Sequence, residues 1–125
     1  MARKKVAMSK DDFIKCEIKR LSKLFDNLPP DAAAVAAKLI ENAAFMAVSL
    51  TDLQKTINEK GYVEEYQNGE HQSGTKRASE VDIYNTMIKN FNTTMKQLID
   101  LLPDSAAAGN NKNAALEYIN GHGRP

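Results

Sequence analysis

Between Asp31 and Lys60 the chain runs "DAAAVAAKLIENAAFMAVSLTDLQKTINEK" with neither glycine nor proline before Gly61. Ala, Leu, Lys, Gln and Glu rank among the strongest helix formers, so the segment predicts a long helix. If unbroken through Glu59 it would be on the order of 40 Å long. Ser49 and Thr51 are the positions at which it can bend or divide. Its alanines lie almost all the way round the axis, and such a helix needs neighbours on several sides, including ones from other subunits. With no Trp and only 6% aromatic residues, the fold class expected is mainly α: long helices forming a helical hairpin core, packed closely over small side chains.

Two further helices flank this one. Ser9 with Asp12 three positions on has the form of a capping box, and Asp11 adds favourable charge to the first turn. From there Ile14, Ile18, Leu21, Phe25 and Leu28 recur at helical spacing on one face, up to Pro29-Pro30. Later, Ser79 with Glu80 and Asp82 marks another start. Val81, Tyr84, Ile88, Phe91, Met95, Leu98 and Leu102 then form a heptad-like seam closed by Pro103. By default such a seam is the subunit's own core.

The polar stretch "EEYQNGEHQSGTKRAS", residues 64 to 79, interrupts the helices. Asn68-Gly69 is a strong signal for a tight turn, because both residues tolerate positive φ. A small β-hairpin over about residues 62 to 73 follows, with Tyr62, Val63 and Tyr66 as its anchors; the alternative is an irregular polar loop. An isolated hairpin is marginal, so this one should pack on a helix or pair with a neighbouring subunit. The domain plan is a basic flexible arm over residues 1 to 8, a helical oligomerisation domain over 9 to 103, and a mostly disordered tail over 104 to 125. In the tail only "NAALEYIN" carries apolar residues, Leu116, Tyr118 and Ile119; it could form a short helix and is suited to folding on a partner. The likeness of "KLFDNLPPDAAA" to "QLIDLLPDSAAA" is helix-stop chemistry and not a repeat.

Charge is uneven. Residues 1 to 25 hold eight Lys/Arg against three Asp/Glu, a net of +5, so with +1 overall the remainder sums to −4. Lys15, Lys19 and Lys23 recur every four residues and form a column beside Arg20. Like charges at that spacing repel by a few tenths of a kcal/mol each. A phosphate-binding face gives such a column a use, since lysines there displace counterions; a solvated lysine face is the alternative. Lys10 and the arm residues Arg3, Lys4 and Lys5 extend the candidate DNA-binding set, and Lys76 and Arg77 beside the hairpin are a weaker pair.

No residue pattern reads as catalytic. There is no Gly-rich phosphate loop, no Ser/His/Asp set and no metal-ligand spacing, and neither a cofactor nor a metal is expected. Cys16 reads as a structural thiol, and one cysteine in the whole chain fits an intracellular setting. Glu64 and Glu65 would point to opposite faces of a strand. No apolar run approaches the roughly 20 residues of a membrane helix and no signal-peptide core is evident, so a soluble, unprocessed protein with no membrane partner is expected. "SLTDLQKTINEKG" could supply half of a helix-turn-helix opening at Thr51, although no turn glycine precedes it.

The order of these parts carries a resemblance. A basic arm, the alanine-rich helix with "LIENAAFMAVSLTDLQKTINEKG", the hairpin "VEEYQNGEHQSGTK" and then "SEVDIYNTMIKNFNTTMKQLIDLLP" together resemble the small subunit of a tailed-phage DNA-packaging terminase, of the type found in phages and prophages of Gram-positive bacteria. It spans about residues 20 to 103, and its most telling pieces are "EEYQNGEHQSGTK" and "VDIYNTMIKN". Members often carry a proline just before the third helix, where this chain has Ala78-Ser79.

The resemblance implies a non-catalytic subunit that assembles into a homo-oligomeric ring in the cytoplasm of the infected bacterial host. Such a protein recognises double-stranded viral DNA and regulates a separate large subunit, the ATPase and nuclease of packaging. On this reading the hairpin residues Tyr66, Asn68 and Gly69 and the seam residues Tyr84, Ile88, Phe91, Met95 and Leu98 are candidate oligomerisation contacts. Leu116, Tyr118 and Ile119 are candidates for meeting the large subunit; a spacer without a partner is the alternative for the tail. Two other functions remain open: a small dimeric DNA-binding regulator, and a structural scaffold protein using its helices only for interaction.

Overall fold

The computed structural model describes residues 8–67, 69, 73–103 and 113–119. Its elements are α1 (Lys10–Leu24), α2 (Pro30–Lys60), β1 (Val63–Gln67), β2 (Ser73–Arg77) and α3 (Ser79–Asp100), followed by a short α4 over residues 113–119. The mainly helical class with a small antiparallel hairpin is therefore observed. Most of the expected arm and the tail segments 104–112 and 120–125 lie outside the described residues.

The start of α1 is the capping box expected. The Asp12 amide donates to Ser9 Oγ at 3.2 Å, and the Ser9 amide donates to the Asp12 carboxylate at 3.1 Å. Two amides that have no partner within the helix are thus satisfied reciprocally. The helix ends at Leu24, one turn earlier than its apolar stripe, and Phe25 continues into the core from the following turn. Pro30 opens α2, where a missing N–H costs nothing.

α2 is continuous for 31 residues, a length of about 46 Å. Thr51 Oγ1 donates to the Ala47 carbonyl at 3.1 Å, so its hydroxyl is satisfied within the helix and no break occurs there. The half helix-turn-helix considered for residues 49 to 61 is thereby excluded: that segment is the end of one rod. It stops at Gly61, whose φ of 87° and ψ of −174° suit glycine almost alone, and whose amide donates to the Ile57 carbonyl at 2.7 Å.

α2 is the central element, packed against both α1 and α3. Its buried face is Ala36, Ile40, Ala43, Ala44, Ala47 and Leu50, and α1 adds Leu21 while α3 adds Phe91, Met95 and Leu98. Alanine lets the helix axes approach, and the large side chains on either flank fill the remaining space. By length and composition α2 is also apolar enough to cross a membrane, against the expectation from its interrupted runs; 44% of that apolar window is buried inside the fold. Alanine raises the average without adding a large side chain.

The hairpin has a wider loop than Asn68-Gly69 suggests. Gln67 pairs with Ser73 and Val63 with Arg77, which leaves residues 68 to 72 as a five-residue connection. A two-residue turn would have closed the hairpin at Glu70. The observed register instead sets Glu64 opposite Lys76, and their side chains form an ion pair at 3.3 Å. The ladder is then extended by the Ala78 amide, which donates to the Tyr62 carbonyl at 2.9 Å. Ala78 precedes α3 without a side-chain cap, and Ser79 is its first residue, not its cap.

α4 departs most from expectation. Residues 113–119 are folded back on the chain, with Ala115 and Tyr118 buried in the same core as Leu21 and Phe91.

Candidate nucleic-acid and assembly surfaces

The face that α1 turns away from α2 carries the lysine column. Lys15, Lys19 and Lys23 are all exposed, and among the described residues none of them takes part in an ion pair. Their charge is thus uncompensated at short range. The two ends of the candidate set differ. Lys10 Nζ lies 4.8 Å from the centre of the Phe45 ring, and Arg20 is engaged by Glu17 at 3.8 Å and by the Tyr118 ring at 5.1 Å. Arg3, Lys4 and Lys5 lie outside the described residues. Lys76 and Arg77 carry ion pairs, to Glu64 at 3.3 Å and to Asp82 at 3.0 Å, so both charges are offset within the chain.

The hairpin base is tied to the helices by polar contacts. Lys60 at the end of α2 pairs with Glu80 in the first turn of α3 at 3.2 Å. The Glu80 carboxyl is held below its ordinary value, first by a backbone amide at its own position and then by Lys60. Tyr62 and Val63, by contrast, are 72% and 61% exposed. Tyr62 and Val63 are therefore left largely uncovered among the described residues.

Other apolar surface is exposed along the helices. Met46 of α2 and Ile83, Thr86 and Met87 of α3 border a shallow groove of about 450 Å³, with Ile83 half-exposed. Phe13 and Phe45 are half-exposed on the α1 side. Phe13, Phe45 and Ile83 were not singled out from the sequence. The signal was present: Phe45 departs from the Ala43, Ala44, Ala47 face, and Ile83 falls between the seam positions Val81 and Tyr84.

The seam residues divide. Phe91, Met95 and Leu98 are fully buried within the chain, so they shape the subunit and offer no surface to a neighbour. Ile88 is partly buried, and Tyr84 accepts a hydrogen bond from Gln54 Nε2 at 3.1 Å. Gly69 sits in the hairpin loop with φ of 84°. Asn68 is outside the described residues, and of Tyr66 only the backbone in β1 is described.

The candidate partner-binding residues are placed mostly inward. Tyr118 is buried and its hydroxyl donates to Glu17 Oε2 at 2.8 Å, while its ring centre lies 6.2 Å from that of Phe91. Burial first, then the Glu17 hydrogen bond and charge, push the Tyr118 phenol well above its ordinary value, and Arg20 opposes them. Ile119 is half-buried, and Leu116 alone of the three is exposed. The peptide expected to stay free is docked because Ala115, Tyr118 and Ile119 fall on one helical face and meet apolar surface of their own chain.

Cys16, read as a structural thiol, is exposed. It borders a groove of about 350 Å³ between α1 and α2, together with Phe13, Glu17, Arg20, Val48 and Thr51. Among the described residues no group of three or more His, Cys, Asp or Glu is placed to hold a metal ion. No protein-family model, no curated protein and no solved structure matches the chain.

Proposed function

We propose that the chain is the small subunit of a phage DNA-packaging terminase: a non-catalytic protein that assembles with copies of itself, binds duplex DNA and regulates a separate large subunit. The reading is carried by the order of parts. A 31-residue alanine-rich helix, a polar hairpin and a third long helix follow one another in the order on which the resemblance rests. Two physical features support it. The column Lys15, Lys19, Lys23 suits phosphates, whose counterions such charges displace. The half-exposed Phe45 and Ile83 and the uncovered Tyr62 and Val63 supply apolar area for contacts between copies.

The native mass of the purified protein at low and moderate salt tests the reading. A discrete closed assembly well above a dimer is the expected result. A monomer or dimer at both salts would overturn the ring, and salt-dependent DNA binding by such a dimer would move the assignment to a small regulator.

A further inference from the structure

The described part of α4 is seven residues, and isolated helices shorter than about 12 residues are marginal in water, so docking supports it. Its seat is the edge of the basic face of α1. The Tyr118 hydroxyl is bonded to Glu17 at 2.8 Å, and the Arg20 guanidinium lies 5.1 Å from the Tyr118 ring centre. Arg20 adjoins Lys19 in sequence and lies one turn from Lys23, within the region a bound phosphate chain would cover. The docked helix also brings an acid there: Glu117 borders the same small cleft, about 160 Å³, as Arg20, Leu24 and Tyr118. Docked, α4 therefore adds an aromatic ring and the acidic Glu117 to the surroundings of Arg20, which Glu17 of α1 already engages.

We infer that α4 is a latch which competes with duplex DNA for Arg20, so that DNA binding on the α1 lysine face and release of residues 113–119 are coupled. The inference rests on the DNA-binding part of the function proposed above. DNA laid along Lys15, Lys19 and Lys23 draws Arg20 to a phosphate and away from Tyr118, and its charge repels Glu117. The docked helix in turn withholds one cation from DNA. Coupling of this kind is reciprocal: the factor by which docking weakens DNA is the factor by which DNA weakens docking. Release uncovers Tyr118 and Ile119 beside Leu116, giving a protein partner an apolar peptide only when DNA is bound.

Two measurements on the full-length chain test this. Duplex DNA affinity is compared across salt for the unaltered protein, Tyr118→Ser and Tyr118→Phe, and amide exchange of residues 113–119 is followed with and without DNA. One exposed cation released from an aromatic ring predicts about 2- to 5-fold tighter DNA binding for Tyr118→Ser, with the salt slope unchanged, because Arg20 meets a phosphate in both bound chains. Tyr118→Phe keeps the buried ring and loses the Glu17 bond, so it should fall between the two. DNA should accelerate exchange in residues 113–119 of the unaltered chain. Equal affinities together with unchanged or slower exchange when DNA is bound overturn the latch and leave the DNA reading standing. Absence of DNA binding by all three chains overturns both.

Discussion

The Tyr118 hydroxyl donates to Glu17 Oε2 at 2.8 Å across 101 positions of sequence, joining the last described helix to the first. The acceptor is a carboxylate and the phenol is buried, which places the bond among the stronger side-chain hydrogen bonds. Tyr118→Phe should weaken docking of residues 113–119 by about 1.5 kcal/mol, read as faster amide exchange there with no change at Leu98 or Phe91.

The same bond predicts an alkaline limit. Burial and Glu17 raise the Tyr118 pKa above the ordinary value of 10.0, so the docked form keeps a proton that the undocked phenol would lose. Its contribution is complete below pH 10.0 and declines as pH rises beyond it. In a tyrosinate absorbance titration one of the four tyrosines should ionise late, together with loss of α4. Tyr118→Phe should lack that late step. Four tyrosines ionising together would contradict the docked geometry.

Lys15, Lys19 and Lys23 separate binding from folding. Replacing all three with glutamine should lower the salt slope of duplex DNA binding by about 0.9 for each phosphate no longer neutralised. Relief of like-charge repulsion should meanwhile leave stability unchanged or raised by a few tenths of a kcal/mol. A triple variant that binds DNA as before would show the column to be only a solvated face.

Tyr62 and Val63 bear on assembly. Both are largely exposed, so Tyr62→Ser with Val63→Thr should alter subunit stability by no more than about 0.5 kcal/mol per site. If the hairpin sets neighbouring copies in register, the native mass of the doubly substituted protein falls while its helix content holds. An unchanged assembly would remove these residues from the interface.

Ser49 tests the core. Its hydroxyl is buried without a hydrogen-bond partner among the described residues, in the middle of a helix that alanine would suit better. Ser49→Ala should raise stability by about 1 kcal/mol, seen as a higher urea midpoint at constant slope. A lower midpoint would mean that the hydroxyl is satisfied in solution.

Local chemistry was the part most legible in the sequence. Ser9 with Asp12 and Gly61 act through neighbours within four residues, and each marks the helix end expected of it, whereas Pro30, expected to stop α1, opens α2. The lysine column was legible for the same reason, because helical spacing alone places its members. Where distant parts decide, the sequence was a poorer guide. Asn68-Gly69 favours a two-residue turn, yet the pairing of Glu64 with Lys76 belongs to a register with a longer loop. Tyr118 looked like a free apolar handle because nothing near it in sequence reveals Glu17 or Phe91. The seam of Phe91, Met95 and Leu98 read by default as the subunit's own core, and packing places them there and not at the contacts between copies that the resemblance implied.

The depth of that packing changes along the molecule. On α2 the buried residues end at Leu50, and on α3 they begin at Phe91; among the described residues between them only Ala78 is buried. The end of α2, the hairpin and the first turns of α3 thus form a cantilever, fixed at a thick root and thin at the tip. Its amides should exchange well before those of the root. In the assembly proposed above, a neighbour that grips the tip would bend it without disturbing Leu21, Leu50 or Met95, so copies would tolerate unequal spacing while every root stays the same.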